Sequence, residues 1–258
     1  MRKKTVLTLS EMKAAKQKIA VLTCYDFAMA KILAKTDIDV LLVGDSLGMV
    51  KLGYANTLPV TMEDMISHCA SVRRGAPEAF IICDMPFMSY ESSVSTAVEN
   101  AGRLIKEGCA DAVKLEGGRE MAETVEAIVN AKIPVAGHVG LMPQAVNAMG
   151  GYKIQGKCET SSQKIFECAA ILEESGASLL FVECVPSELA QKITQKVNIP
   201  VIGIGSGKET DGQVLVLDDM LGLNAAAPKF VERFAALEKD VENAVSSYVA
   251  SVKMSTTK

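Results

Sequence analysis

Long apolar runs are the first thing this sequence lacks. No stretch approaches the roughly 18 residues that a membrane-crossing helix needs, because Asp84, Glu116 and Glu183 interrupt the most hydrophobic segments. An excess of positive charge is also missing. With 27 basic against 31 acidic side chains the net charge is −4, which argues against a nucleic-acid binder that works by bulk phosphate neutralisation. Histidine is scarce: His68 and His138 stand 70 positions apart, and neither has a cysteine at ligand spacing, so a zinc centre is not expected. His68 falls within a helical stretch over 62–73 and is read as structural or solvated. The seven cysteines are odd in number and form no C-x-x-C pair, which points to reduced thiols used as small hydrophobes. Dinucleotide and Walker fingerprints are absent, and Gly203-Ile-Gly205-Ser-Gly207 is read as a backbone-crowded turn. No Ser/His/Asp set can be assembled from spacing, so a serine-nucleophile elbow is not expected. The opening MRKKTVLTLSEMKAAKQK carries no apolar signal region and a single Arg. Nothing resembling a linker, a repeat or a low-complexity tract divides the chain. The expectation is a soluble cytoplasmic protein with one domain over 1–258.

What is present is alternation. A chain of 258 residues, 49% of them hydrophobic, has ample material for a core. Runs rich in Val, Ile and Leu occur at 19–24, 39–45, 80–84, 112–116, 135–139, 178–183, 200–204 and 213–218. Each has the length of a strand buried on both faces. Between them lie amphipathic stripes, of which Val94, Ala97, Val98, Ala101, Leu104 and Ile105 are the cleanest. The tail from Phe230 to Val249 reads as one long helix (about 228–252). Eight strands alternating with helices match a single α/β (β/α)8 TIM barrel. A doubly wound open sheet is the competitor, since local patterning does not prove closure.

The polar residues sit at the strand ends. Asp45 ends the second strand and Asp84 the third. Lys114 and Glu116 belong to the fourth, His138 to the fifth and Glu183 to the sixth. In such a barrel the carboxyl ends form one rim, and that rim carries the chemistry. Each residue also has a plain structural explanation. Asp45 and Asp84 fit as helix N-caps, Lys114 and Glu116 as an internal ion pair, and His138 as a core histidine. Burying all of them together without a purpose is costly. Two Asp and a Glu supply hard oxygen ligands suited to Mg²⁺.

At these residues the chain closely resembles the ketopantoate hydroxymethyltransferase family. The stretches that carry the likeness include LTCYDFAMAKI (22–32), LLVGDSLGMVKLGYANTLPVTMEDM (41–65), CDMPFMSY (83–90), VKLEGG (113–118), GHVGLMPQAVNAMGGYKIQGK (137–157) and VECVPSELA (182–190). The resemblance implies a Mg²⁺-dependent barrel of pantothenate (coenzyme A) biosynthesis. Such an enzyme moves a hydroxymethyl group from 5,10-methylenetetrahydrofolate to 3-methyl-2-oxobutanoate through a Mg²⁺-stabilised enolate, giving 2-dehydropantoate and tetrahydrofolate. It also implies metal ligation by Asp45 and Asp84 with Glu116 as the third carboxylate, and substrate contacts from Asp45, Ser46, Asp84 and Lys114 with His138 close by. Glu183 becomes the proton acceptor. A cytoplasmic homo-oligomer, commonly a decamer, follows from the same resemblance, and 13 methionines suit adaptable contact surfaces. Cys24 and Asp218 depart from the family's usual Ala and frequent His. Two other readings stay open: a metal-dependent 2-oxo-acid lyase or phosphoenolpyruvate-type mutase, and a barrel that binds a small acid without turnover. The base at Glu183 speaks against the latter.

Overall fold

Eight short runs of Val, Ile and Leu pair in parallel and close on themselves in the order β1 to β8, in a computed structural model that describes residues 4–254. The strands are β1 (Ile19–Thr23), β2 (Val40–Val43), β3 (Phe80–Asp84), β4 (Ala112–Glu116), β5 (Val135–Gly140), β6 (Leu179–Glu183), β7 (Val201–Ile204) and β8 (Gly212–Leu215). Strands β2 to β5 are buried along their whole length, as parallel strands covered on both faces must be. Closure removes the open-sheet alternative; the chain forms a TIM barrel.

The helices are α1 (Val6–Ala14), α2 (Phe27–Leu33), α3 (Leu47–Val50), α4 (Met62–Gly75), α5 (Val94–Lys106), α6 (Ala122–Asn130), α7 (Val146–Met149), α8 (Glu159–Glu174), α9 (Ser187–Lys196), α10 (Leu217–Met220) and α11 (Leu237–Met254). Local chemistry sets where several begin. Thr61 and Asp64 form a reciprocal capping box at α4, with Asp64 N–H donating to Thr61 Oγ1 at 3.1 Å and Thr61 N–H to Asp64 Oδ2 at 3.0 Å. Asp26 and Ser93 accept from Met29 and Thr96 N–H at the starts of α2 and α5. Each such cap is worth about 1 kcal/mol. The apolar stripe of α5 turns Ala97, Ala101 and Leu104 inward.

The filling of the barrel is what places the chemistry. Alternate residues of a strand face the same side. One buried cluster collects Val40, Leu42, Phe80, Ile82, Ala112, Ala136, Leu179 and Phe181, joined by Leu9 and Met12 of α1. Two positions further along the same strands stand Asp84, Lys114, His138 and Glu183. The register aligns Asp84 with Lys114, and Glu116 with His138. The interior is therefore apolar below and ionisable at the carboxyl-end mouth.

The chain divides into two compact units, Met1–Val214 and Leu215–Lys258. The second contains the main departures from the patterning. Strand β8 stops at Leu215 instead of running to 218, because Leu217–Met220 forms the short helix α10. Helix α11 starts at Leu237, not near 228. The N–H groups of Phe234 and Leu237 donate to the carbonyls of Met220 and Leu221, so the segment before α11 is tied to α10 and not to its own preceding turn.

Candidate active site

Five consecutive strand ends, β2 to β6, converge at the barrel mouth. Asp45, Asp84, Lys114, Glu116 and His138 are all buried there. Neither aspartate caps a helix. Asp84 Oδ2 accepts the backbone N–H of Asp45 at 3.1 Å, and Asp45 Oδ2 accepts the side-chain amide of Gln144 at 2.9 Å. Lys114 Nζ lies 3.2 Å from Asp84 Oδ1 and donates to His138 Nδ1 at 3.3 Å. It also stands over the ring of Phe181, 5.9 Å from the centroid. An ammonium only donates, so His138 Nδ1 is the acceptor and the imidazole proton resides on Nε2. That nitrogen faces Glu183 Oε2 at 3.4 Å without making a hydrogen bond. Glu116 Oε2 accepts the backbone N–H of Gln144 at 3.0 Å, while its Oε1 stands 3.6 Å from His138 Nδ1.

Burial dominates the electrostatics. It raises the Asp84 pKa to about 7, despite the opposing pull of Lys114. It also raises Asp45 and Glu116 and, with Lys114 beside it, lowers His138, keeping the imidazole neutral. Burial works against the Lys114 charge, but Asp84, Glu116 and Asp45 outweigh it and push that pKa above its ordinary value. Glu183 is less enclosed than the others: its side chain is 17% exposed, because it is the last residue of β6 and reaches the rim. Next to it, Gly140 adopts φ +100, and a Cβ there would stand 2.2 Å from the Glu183 carbonyl oxygen; only glycine lets β5 pass so close to the end of β6.

Three side chains went unnoticed in the sequence. The Tyr90 hydroxyl donates to Gln144 Oε1 at 2.6 Å and accepts Glu116 N–H at 3.2 Å. Gln144 in turn ties Asp45, Glu116 and the Met85 carbonyl together. Tyr25 shares a 2.9 Å hydrogen bond with Ser46. Gly44-Asp45-Ser46-Leu47-Gly48 does have the spacing of a nucleophile elbow, contrary to expectation. The geometry is not one: Ser46 has relaxed helical dihedrals, φ −52 and ψ −18, and its hydroxyl pairs with a tyrosine. The glycine-rich 203–207 segment is crowded as expected, since a Cβ on Gly207 would lie 2.1 Å from Ser187 Oγ. Among the described residues, no three His, Cys, Asp or Glu side chains converge as a metal cage.

A closed parallel barrel with buried carboxylates, a lysine and a neutral histidine at its carboxyl-end mouth is the architecture of a TIM-barrel enzyme. Residues 3–256 match the family described as Ketopantoate hydroxymethyltransferase, and the chain belongs to that family; it is a hydroxymethyltransferase. Among its relatives, the 3-methyl-2-oxobutanoate hydroxymethyltransferase of Syntrophus aciditrophicus (strain SB) is 52% identical over 256 residues, covering 99% of this chain and 94% of the relative. That of Carboxydothermus hydrogenoformans (strain ATCC BAA-161 / DSM 6008 / Z-2901) is 53% identical over 250 residues, covering 96% and 91%. Solved structures share the fold at low identity. A 2,3-dimethylmalate lyase of the PEP mutase/isocitrate lyase superfamily superposes with a TM-score of 0.62 at 16% identity, over 96% of this chain and 87% of that one. A phosphonopyruvate hydrolase gives 0.64 at 11%, over 99% and 88%.

Proposed function

We propose that this enzyme transfers a hydroxymethyl group from 5,10-methylenetetrahydrofolate to 3-methyl-2-oxobutanoate, giving 2-dehydropantoate and tetrahydrofolate, with Mg²⁺ held by Asp45 and Asp84. The observation that carries this reading is the placement of Glu183, partly exposed at the mouth, beside a buried Asp84–Lys114–His138 row. The residues fit a hard cation. The Asp84 carboxylate is held by the main-chain N–H of Asp45, and the Asp45 charge lies near enough to raise the Asp84 pKa further. Asp84 Oδ1 is fully buried, with the Lys114 ammonium 3.2 Å away. Burial raises both aspartate pKa values, a penalty that a cation would offset. Glu116 has one oxygen taken by Gln144 N–H and would act near the ion as the third carboxylate. With so few protein ligands, substrate oxygens and water would complete the shell, as Mg²⁺ prefers. When bound, Mg²⁺ supplies Lewis acidity at the 2-oxo acid's keto oxygen.

The side chains do the rest. Lys114 offers its ammonium to the substrate carboxylate and offsets developing enolate charge. Glu183 removes the C3 proton, and the C–H electron pair passes into the enolate. His138, neutral with its proton on Nε2, faces Glu183 across 3.4 Å. Water adds across the donor's methylene bridge, releasing formaldehyde and tetrahydrofolate. The enolate C3 attacks that formaldehyde, a C–C bond forms, and the new alkoxide takes a proton.

The first half needs no folate, which makes it the test. In D₂O with Mg²⁺ and 3-methyl-2-oxobutanoate, the protein should exchange the C3 hydrogen. NMR would show loss of the methine signal and collapse of the methyl doublet. A chelator should stop exchange, and adding 5,10-methylenetetrahydrofolate should yield 2-dehydropantoate. A protein that neither exchanges nor turns over would sink the reading.

A further inference from the structure

A cavity of about 340 Å³ opens beside the catalytic network, and Glu116 and Gln144 form part of both. Phe87, Met121 and Met142 wall it with aromatic and thioether surface, and Phe87 is 39% exposed, its ring face available. The charged lining is acidic: Glu91 and Glu120 join Glu116, with Tyr90, Gln144 and Asn147 as neutral polar neighbours, and no lysine or arginine is among the lining residues. Each of these carboxylates accepts a backbone N–H, Glu116 from Gln144 and Glu120 from Gly118 at 2.9 Å. Glu91 is half-buried and accepts Tyr90 N–H through Oε2 at 3.3 Å. A cavity whose charged groups are all carboxylates, with aromatic and thioether walls, disfavours phosphates and carboxylates. It favours a flat, neutral ring that presents N–H donors.

From this geometry, and resting on the reaction proposed above, we infer that the cavity seats the reduced pterin head of the one-carbon donor, with Glu91 accepting from its 2-amino-4-oxopyrimidine edge. An amine and a neighbouring ring N–H on that edge match the two oxygens of one carboxylate, a paired contact of the strong, directional kind. Phe87 stacks on the ring and the methionines fill around it. The volume lies at the lower end of the ~300–1,000 Å³ typical of ligand pockets, room for a bicyclic ring and not for a whole folate. The aryl arm has a way out, because Leu58 and Phe87 also line a second groove of about 420 Å³. The cavity's inner end, at Glu116 and Gln144, puts the one-carbon unit on the side where the keto acid would lie. A half-buried carboxylate whose pKa burial raises gains from a pair of N–H donors.

Two substitutions on different walls test this with tetrahydrofolate itself as the probe, measured anaerobically by calorimetry. Glu91→Gln removes the acceptor pair, and Ala148→Trp places an indole at the mouth from an exposed position. Glu91→Gln removes a charged acceptor and Ala148→Trp obstructs the mouth, so tetrahydrofolate affinity should fall at least ~10-fold in each variant, about 1.4 kcal/mol. The donor KM should rise in parallel, while the dissociation constant of the keto acid, measured without donor, moves less than ~2-fold, about 0.4 kcal/mol. Wild-type binding with both variants unchanged would place the head elsewhere and overturn the inference, leaving the proposed reaction standing. Equal loss of both ligands would also overturn it, since the change would then act through the Glu116–Gln144 network. A wild type that neither binds tetrahydrofolate nor uses the donor overturns inference and reaction together. Melting curves matched to wild type show that the variants are folded.

Discussion

Gln144 spans the barrel mouth to reach Asp45: its Nε2 donates to Asp45 Oδ2 at 2.9 Å, although 99 positions separate the two in the chain. The same side chain is gripped from behind by the Tyr90 hydroxyl at 2.6 Å. Tyr90→Phe keeps the ring but leaves Gln144 Oε1 and Glu116 N–H without that partner, and should cost about 1–3 kcal/mol of stability, read by denaturant unfolding. Gln144→Leu should raise the Mg²⁺ concentration needed for half-maximal exchange, because Asp45 loses the donor that orients it. Unchanged Mg²⁺ dependence in that variant would reduce Gln144 to scaffold.

Asp84→Asn should abolish turnover and weaken Mg²⁺ binding while the barrel still folds. Asparagine retains an oxygen for Asp45 N–H, and with a pKa of about 7 the native carboxyl is already partly neutral at neutral pH. That pKa lies above the unfolded value of about 3.9. The stability the group contributes is therefore complete below that value and is lost as pH rises through about 7. Without divalent cations, wild type should lose unfolding free energy over this window relative to Asp84→Asn. His138, shifted downward, works in the opposite sense in both proteins, so the difference between the two profiles carries the test.

Glu183→Gln should keep keto acid and metal bound but slow C3 hydrogen exchange by at least ~10²-fold, the usual scale for losing a positioned base. Undiminished exchange would move the role away from Glu183.

Thiol labelling should be selective. Cys158 is exposed, and its pKa is lowered by hydrogen bonds from Ser161. Burial pushes Cys24 and Cys184 up to about 12. Iodoacetamide at pH 7.5 should therefore modify Cys158 well before those two, and Ser161→Ala should slow it. Peptide mapping that finds Cys24 labelled first would contradict the burial described here.

We expect a homo-oligomer in solution. Val241, Val245, Tyr248, Val249 and Val252 of α11 are all exposed, an apolar face that water does not favour. Light scattering at micromolar concentration should exceed the monomer mass, and Val245→Glu with Tyr248→Glu should lower it.

The barrel could be read in the sequence because its strands are short apolar runs of one period, interrupted at regular places. Asp84, Lys114, Glu116, His138 and Glu183 stood out as ionisable residues at the ends of those runs, and the two-residue period placed Lys114 and Glu116 on the same face. Tyr25, Tyr90 and Gln144 did not stand out. They lie in connections where no periodicity exists, and their contacts join residues 21, 54 and 99 positions apart. The tail misled for a related reason. Phe230, Phe234 and Leu237 repeat at helical spacing, but the N–H groups of Phe234 and Leu237 are taken by carbonyls of Met220 and Leu221. Side-chain spacing says nothing of where a backbone donor goes.

The position of Lys114 decides between two routes to an aldol bond. A lysine can activate a carbonyl by condensing with it to an imine, but only through its unprotonated amine. Here the nitrogen is held between Asp84 Oδ1 and His138 Nδ1, and the surrounding carboxylates raise its proton affinity above that of a free lysine. It stays an ammonium and has no lone pair to offer. Borohydride added with the keto acid should thus leave the enzyme fully active and unmodified at Lys114, whereas an imine-forming aldolase treated in the same way would be reduced to a dead secondary amine.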